Sequence, residues 1–485
     1  MFGAALQYLR PGSQYYMNAH FGMIGLGTMG RNFLLNIAEH GISGVGYDLD
    51  AAKRQLLLDE GAGLPLDVGA DLADFLGKLE SPRNIMLLVP AGPIVDKVIA
   101  DLVPHLDKDD LIIDGGNSHF TDTDRRITEL EAKGVGFMGI GVSGGEEGAR
   151  HGASIMPGGR RDLYDRIEST LQAVSAKVGG EPCVAYMGAG SAGHFVKMVH
   201  NGIEYGMMQL LAETYDFMQR VLRMANTEMH RTFTDWNGRE LSSFLVEITS
   251  VVLRKTDPDT GNPLVAMILD TAGQKGTGKW TSQAAMDHGV PIPTIDSAVS
   301  MRQISAQKTV RAEIAGKYSG TGTSADQSHS RTSAGELEDA LLCAFILTYA
   351  QGMSLLQKAS AESGYGLDLA EIARIWRGGC IIRSKLLESI RKAYTADPTL
   401  ENLILDRSFA DILNSRVSSF RKAVVAFNEN GIPAACFSSA LAYFDAFRTE
   451  RLPANLIQAQ RDYFGAHTYQ RTDKEGTFHT DDWEA

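Results

Sequence analysis

Up to about residue 190, short continuous apolar runs alternate with glycine-containing turns and with stretches whose apolar residues recur every three or four positions. Phe21-Gly22-Met23-Ile24 is the first run. It leads into Gly25-Leu26-Gly27-Thr28-Met29-Gly30 and a helical pattern over 31–39 that stops at Gly41. Val45-Gly46-Tyr47, residues 84–89, Leu111-Ile112-Ile113-Asp114 and Gly136-Phe137-Met138-Gly139 follow as strands, with helical stretches between them, one near 94–102. Continuous rather than alternating apolar strands are buried on both faces, which predicts a parallel, doubly wound sheet covered by helices.

From about Ser191 the strand signal stops, and helical periodicity runs to about Tyr443. The predicted architecture is α/β: a Rossmann-like domain over 21–190, an all-helical domain over 191–443 and a tail over 444–485. Residues 1–20 form an N-terminal extension, and Met17 is the expected natural start. The helical region echoes itself. Gly206-Met207-Met208-Gln209-Leu210-Leu211 resembles Gly352-Met353-Ser354-Leu355-Leu356, 146 residues on, and Trp236-Asn237-Gly238 resembles Trp376-Arg377-Gly378, 140 residues on, so a duplicated helical unit is expected.

Candidate chemistry concentrates on one stretch. Wound as a helix at about 100° per residue, Lys197, His200, Asn201, Glu204 and Tyr205 fall within roughly 140° of arc, with His194 among them. Phe195, Val196, Met198, Val199 and Ile203 cover the opposite side. A wet amphipathic face would also produce such a stripe, but surface stripes repeat Glu and Lys, whereas this one offers a base, an acid, an imidazole, an amide and a phenol.

The glycine turn after the first strand suits the close approach of a dinucleotide pyrophosphate at a helix N-terminus. Asp48, 18 residues past Gly30, stands where a carboxylate holds the adenosine ribose hydroxyls. Asp48 could instead cap the helix that begins at Ala51. Leu49 follows where an NADP site often has an arginine, although Lys53 and Arg54 come soon after. Asp114-Gly115-Gly116-Asn117-Ser118 and Val142-Ser143-Gly144-Gly145-Glu146 are further glycine loops at strand ends, where such sheets bind ligands. Gly273-Gln274-Lys275-Gly276-Thr277-Gly278-Lys279-Trp280 suits a phosphate but is not a P-loop, because no strand precedes it at the required spacing.

Composition narrows the function classes. The chain has 485 residues, 44% apolar and 22% charged, as in a globular protein. Its net charge of -13 argues against nucleic acid or an anionic membrane as partner. Cys183, Cys343, Cys380 and Cys436 are isolated, which suggests neither a zinc site nor a disulfide framework and fits a reducing cytoplasm. No apolar run reaches the ~18 residues of a membrane span.

Taken in order, these motifs, with Trp376-Arg377-Gly378-Gly379-Cys380-Ile381-Ile382-Arg383-Ser384 and the stretch over 452–468, resemble the long-type 6-phosphogluconate dehydrogenases of the β-hydroxyacid dehydrogenase superfamily. The resemblance runs from Phe21 to about Trp483. It implies oxidation of 6-phosphogluconate at its 3-hydroxyl by a nicotinamide cofactor, then loss of CO2 to give ribulose 5-phosphate in the pentose phosphate pathway, with no metal. Lys197 would be the base and then the acid, and Glu204 would protonate C1 of the enediol. Asn117, Ser143, Gly144, Gly145, His200 and Asn201 would hold the sugar acid. A lysine is a base near neutral pH only if burial or nearby cations lower its pKa; His200, if protonated, is one such cation and the cofactor's positive nicotinamide ring is another. Tyr205, Lys275, Thr277 and Arg302 would hold the phosphate. Arg461 and His467 would come from the other subunit of a homodimer, and Phe478-His479-Thr480-Asp481-Asp482-Trp483 resembles an arm that threads that partner. Gly25, Leu26, Gly27, Thr28, Met29, Gly30, Asp48, Val89, Ala91 and Asn117 would bind the cofactor. NADP-using members carry Asn-Arg-Thr after the second strand; here Asp48-Leu49-Asp50 implies NAD, with NADP the alternative. The competing functions are a shorter-chain relative such as a 3-hydroxyisobutyrate dehydrogenase and a catalytically silent NAD-sensing protein.

Overall fold

The computed structural model describes residues 18–318 and 332–484. Residues 1–16, expected from the sequence to be an extension before Met17, lie outside the described residues.

Seven strands form one sheet: β1 (Phe21–Ile24), β2 (Gly44–Tyr47), β3 (Leu66–Val68), β4 (Asn84–Leu87), β5 (Leu111–Asp114), β6 (Gly136–Ser143) and β7 (Ser154–Gly158). The spatial order is β3-β2-β1-β4-β5-β6-β7. All pairs are parallel except β6 with β7. The apolar strands are buried on both faces, as the continuous runs predict. The strand order reverses between β1 and β4, so the carboxyl ends of β1, β4 and β5 open on a shared crevice.

β6 differs from the sequence expectation of a strand over 136–139. It continues to Ser143, because antiparallel β7 pairs with its far half, Gly141 opposite Met156 and Ser143 opposite Ser154. The added strand carries Ser143 out to the sheet edge as part of a rigid ladder rather than a free loop.

Beyond the sheet the chain is mainly helical. Two long helices, Ala192–Arg220 and Ala334–Ser363, pack against each other at the center of the largest apolar cluster. The glycines of the internal echo lie at their crossing. A Cβ on Gly206 would stand 2.7 Å from the Thr348 side chain, and one on Gly352 would stand 2.5 Å from Ile203. Each of the two similar segments thus supplies a glycine that admits the other helix. Among the described residues, Ala334–Ser363 is the one helix long and apolar enough to span a membrane, yet 89% of its apolar window is buried inside the protein. All four cysteines are buried and free. The tail consists of helix Ala454–Gly465 and a short antiparallel pair, Tyr469–Gln470 with Thr477–Phe478.

Candidate active site

Glycines seat helix Ala192–Arg220 on the sheet. A Cβ on Gly193 would collide with the carbonyls of Met156 and Gly139, and one on Gly158 would collide with the Gly193 nitrogen. Gly141 faces the Cβ of Lys197 in the same way. The helix backbone therefore lies directly against β6 and β7, and its polar stripe emerges beside Ser143.

Lys197, His200, Asn201 and Tyr205 are buried, and the Glu204 side chain is 21% exposed. Ser143 Oγ lies 3.3 Å from His200 Nε2, and Asn201 Oδ1 lies 3.1 Å from His200 Nδ1. Nδ1–H thus donates to the amide oxygen, and Nε2 accepts from the Ser143 hydroxyl. Glu204 Oε2 is 3.9 Å from His200 Nδ1. Burial lowers the Lys197 pKa from 10.5, opposed chiefly by the nearby Glu204 carboxylate. Burial first, then the Lys197 charge, pushes His200 well below 6.5. Of the ways left open to lower the Lys197 pKa, burial of the lysine itself is the leading one, and the downward shift of His200 favours its neutral imidazole over a cation beside the amine. Burial raises the Glu204 pKa above 4.5, against the pull of Lys197 and Arg302.

Asn117 is exposed at the end of β5, between two residues tied to Asp114: Gly116 N–H donates to Asp114 Oδ1 at 3.0 Å and Ser118 Oγ to Oδ2 at 2.6 Å. Gly144 has φ +107°, and a Cβ there would stand 2.6 Å from the Gly379 carbonyl. That carbonyl accepts from Ser154 N–H at 2.8 Å, so loop 376–384 is docked behind residues 143–145. The sequence marks this loop as a motif without giving it a site residue. In the fold Trp376 meets the His200 ring edge-on at 5.5 Å, and Cys380 reaches the electrostatic environment of Lys197. Burial pushes the Cys380 thiol up to about 12, so it stays neutral beside the amine. The glycine pair Gly378-Gly379 is the sequence signal for this close approach.

The turn after β1 fits a dinucleotide. Gly25 has φ +94°, a Cβ on Gly30 would collide with the Gly25 carbonyl, and the space above Gly27 is open. Leu26 is buried, Thr28 exposed and Met29 half-buried. Asp48 accepts from Leu26 N–H at 2.9 Å, with Lys53 Nζ 3.5 Å away. Asp50, not Asp48, caps the next helix by accepting from Ala52 N–H. Leu49 is 85% exposed, while Arg54 folds back onto the Asp48 carbonyl. Val89 and Ala91 follow β4 on the same edge.

Tyr205 and Arg302 meet, and Thr277 is the neighbour of Gly278 beside them. The Arg302 guanidinium lies 3.9 Å from the Tyr205 ring centroid, and Gly278 packs against that ring. Arg302 also donates to the Gly273 carbonyl at 2.9 Å. Thr277 opens helix Thr277–Asp287 behind the left-handed Gly276, and Lys275 is exposed just before it. A helix N-terminus, a guanidinium and an ammonium suit a phosphate. Arg461 and His467 are exposed on the tail, where Arg461 donates to Gln458 at 3.2 Å and His467 meets Phe464 edge-on at 5.9 Å. Neither joins the Lys197 cluster within one chain.

Comparison with known proteins matches the same two regions. Residues 20–188 match the NAD binding domain of 6-phosphogluconate dehydrogenase, and residues 193–483 match the 6-phosphogluconate dehydrogenase C-terminal domain. The chain is 49% identical to the Bacillus subtilis NADP(+)-dependent, decarboxylating 6-phosphogluconate dehydrogenase, over 95% of this chain and 98% of that protein. It is 46% identical to the decarboxylating enzyme of Mus musculus, over 96% of both. The Plasmodium falciparum 6-phosphogluconate dehydrogenase, solved alone, with NADP+ and with 6-phosphogluconate, superposes with a TM-score of 0.92 at 43% identity, over 95% of this chain and 99% of that one. Sheet, helical region and tail all fall within these matches, and the chain belongs to the 6-phosphogluconate dehydrogenase family.

Proposed function

We propose that the chain oxidatively decarboxylates 6-phospho-D-gluconate to D-ribulose 5-phosphate and CO2, with NAD as its preferred acceptor. The carrying observation is the stripe of buried Lys197, His200 and Asn201 with the partly exposed Glu204, set against Ser143 and a turn fitted to a dinucleotide.

Neutral Lys197 accepts the proton of the 3-hydroxyl. The bound dinucleotide supplies the hydride acceptor. The C1–C2 bond of the resulting β-keto acid then breaks, its electron pair moves to the C3 carbonyl, and the Lys197 ammonium returns the proton to that oxygen. Glu204, whose neutral form burial favours, donates the proton that completes C1 of the product. Asn117, Ser143, Gly144, Gly145, His200 and Asn201 hold the sugar acid. Tyr205, Lys275, Thr277 and Arg302 hold its phosphate.

Asp48 supports the NAD preference: its carboxylate repels a 2′-phosphate, and Leu49 offers no cation. Lys53, 3.5 Å from Asp48, offsets part of that charge. The acting unit is a homodimer in which the partner subunit's Arg461 and His467 complete each site. The uncovered apolar side chains of Leu456, Ile457, Tyr463 and Phe464 on helix Ala454–Gly465 support this pairing. We place the enzyme in the cytoplasm, where its four free thiols stay reduced.

The test is kcat/KM with each cofactor on 6-phosphogluconate and on unphosphorylated gluconate. The proposal expects the phosphorylated acid and NAD to lead. Equal turnover of gluconate rejects the substrate, and an NADP preference rejects the role of Asp48.

A further inference from the structure

His194 belongs to the polar stripe of helix Ala192–Arg220, yet it has no part in the chemistry above. It is buried, and both of its ring nitrogens are engaged within the protein, which leaves none for a substrate. Its ring joins two elements of the sheet domain. Nε2 lies 3.1 Å from the Asp114 carbonyl oxygen, and Nδ1 lies 2.7 Å from Thr123 Oγ1. A carbonyl can only accept, so Nε2 carries the proton and Nδ1 accepts from the threonine hydroxyl. Burial pushes the His194 pKa below 6.5, which favours the neutral ring.

The space for the ring is built in. A Cβ on Gly139 would stand 2.7 Å from His194 Nδ1 and 2.7 Å from Thr123 Cγ2, so β6 has a glycine where the imidazole passes. Asp114 is in turn the anchor of the loop that follows β5. Its carboxylate takes Gly116 N–H, Ser118 Oγ–H and, at 3.3 Å, the Arg126 guanidinium. Asn117 lies between two residues fixed to that carboxylate. Lys197 is three residues beyond His194 on the same helix, one turn along.

We propose that His194 is a positioning residue: by binding the Asp114 carbonyl from the helix that carries Lys197, it fixes the separation between the base and the loop that presents Asn117. This rests on the roles proposed above for Lys197 and Asn117. A bond between helix and loop costs nothing at the moment of reaction, and a small loss of alignment between a base and its substrate is expensive in rate.

Two near-isosteric variants isolate the bond. A glutamine amide reaches the position of Nε2 and can still donate to Asp114, whereas an asparagine amide reaches only the position of Nδ1. His194→Asn is expected to lower kcat on 6-phosphogluconate by about tenfold to a hundredfold, with little change in the cofactor Kd, and His194→Gln to recover most of it. In the cofactor-free protein, amide exchange at Gly115, Gly116 and Ser118 is expected to quicken in His194→Asn and not in His194→Gln. Thr123→Val, which keeps the Nε2 bond, is expected to resemble His194→Gln. Equal kcat and equal exchange in the two His194 variants would overturn the inference. The exchange measurement needs no turnover, so it tests the tie between helix and loop even if the substrate assignment fails.

Discussion

Gly141 and Lys197 are in backbone-to-stem contact: β6 has no room for a Cβ at Gly141, because that atom would collide with the Cβ of Lys197. The contact fixes where the lysine leaves the helix and how close its stem lies to the sheet edge. Gly141→Ala should therefore displace Lys197 and lower kcat by about a hundredfold, since angstrom-scale misplacement of a catalytic group has that cost. Kd for the dinucleotide, read by fluorescence titration, should stay near the wild-type value. Unchanged kcat would show that the helix can slide.

The lowered Lys197 pKa gives a pH prediction with a definite sign. The base must be neutral, so kcat/KM should fall by about tenfold per unit once pH drops below the lysine pKa in the free enzyme. That limb should lie below the ordinary lysine value of 10.5, since burial lowers it. Lys197→Met should lose about a hundredfold to ten-thousandfold in kcat, the usual contribution of a positioned base, and should lose the limb with it. A limb that survives in Lys197→Met would assign it to another group.

Glu213, on the same helix, offers a separate stability test. It is 2% exposed and accepts from Cys436 N–H at 3.0 Å and Phe437 N–H at 3.1 Å, at the start of helix Ala435–Phe447. Burial raises its pKa from 4.5 to about 7, against those donors. Between these values the folded protein binds the proton more tightly than the unfolded chain does. Its contribution to stability is therefore present below about pH 4.5 and is lost as pH rises towards about 7, by about 3 kcal/mol. Glu213→Gln should flatten this part of the Tm-against-pH curve. An identical slope in wild type and variant would exclude Glu213 as its source.

Much of the site was legible in the sequence. Lys197 to Tyr205 sit within three turns of one helix, so helical spacing alone gathers them. The glycine turn at Gly25 and the loop at Asn117 follow strands, and Ser143 ends one, so topology alone brings them to one edge. Contacts between distant segments left no such signal. The pairing of Gly144 with Gly379 and of His200 with Trp376 joins residues more than 170 positions apart, and no periodicity reports them. Whether burial or a neighbouring cation lowers the Lys197 pKa was left open by the sequence, because burial is a property of the packed core. The far half of β6 was missed because Gly141 and Ser143 weaken its apolar pattern, while the pairing with β7 compensates.

Arg461 and His467 pose a question about assembly. If each serves the neighbouring subunit, two defective chains should repair one another. Co-expression of Lys197→Met with Arg461→Ala should restore about a quarter of wild-type activity, because half of randomly formed dimers are mixed and each of these keeps one intact site. Activity no greater than the sum of the separate variants would place Arg461 in its own chain's site.

The central claim is tested most directly by recording CO2 release and reduced nicotinamide together from 6-phosphogluconate. The account predicts equal amounts of the two, at matching rates, with ribulose 5-phosphate as the product. Reduced nicotinamide without CO2, or no turnover with either cofactor, would contradict it.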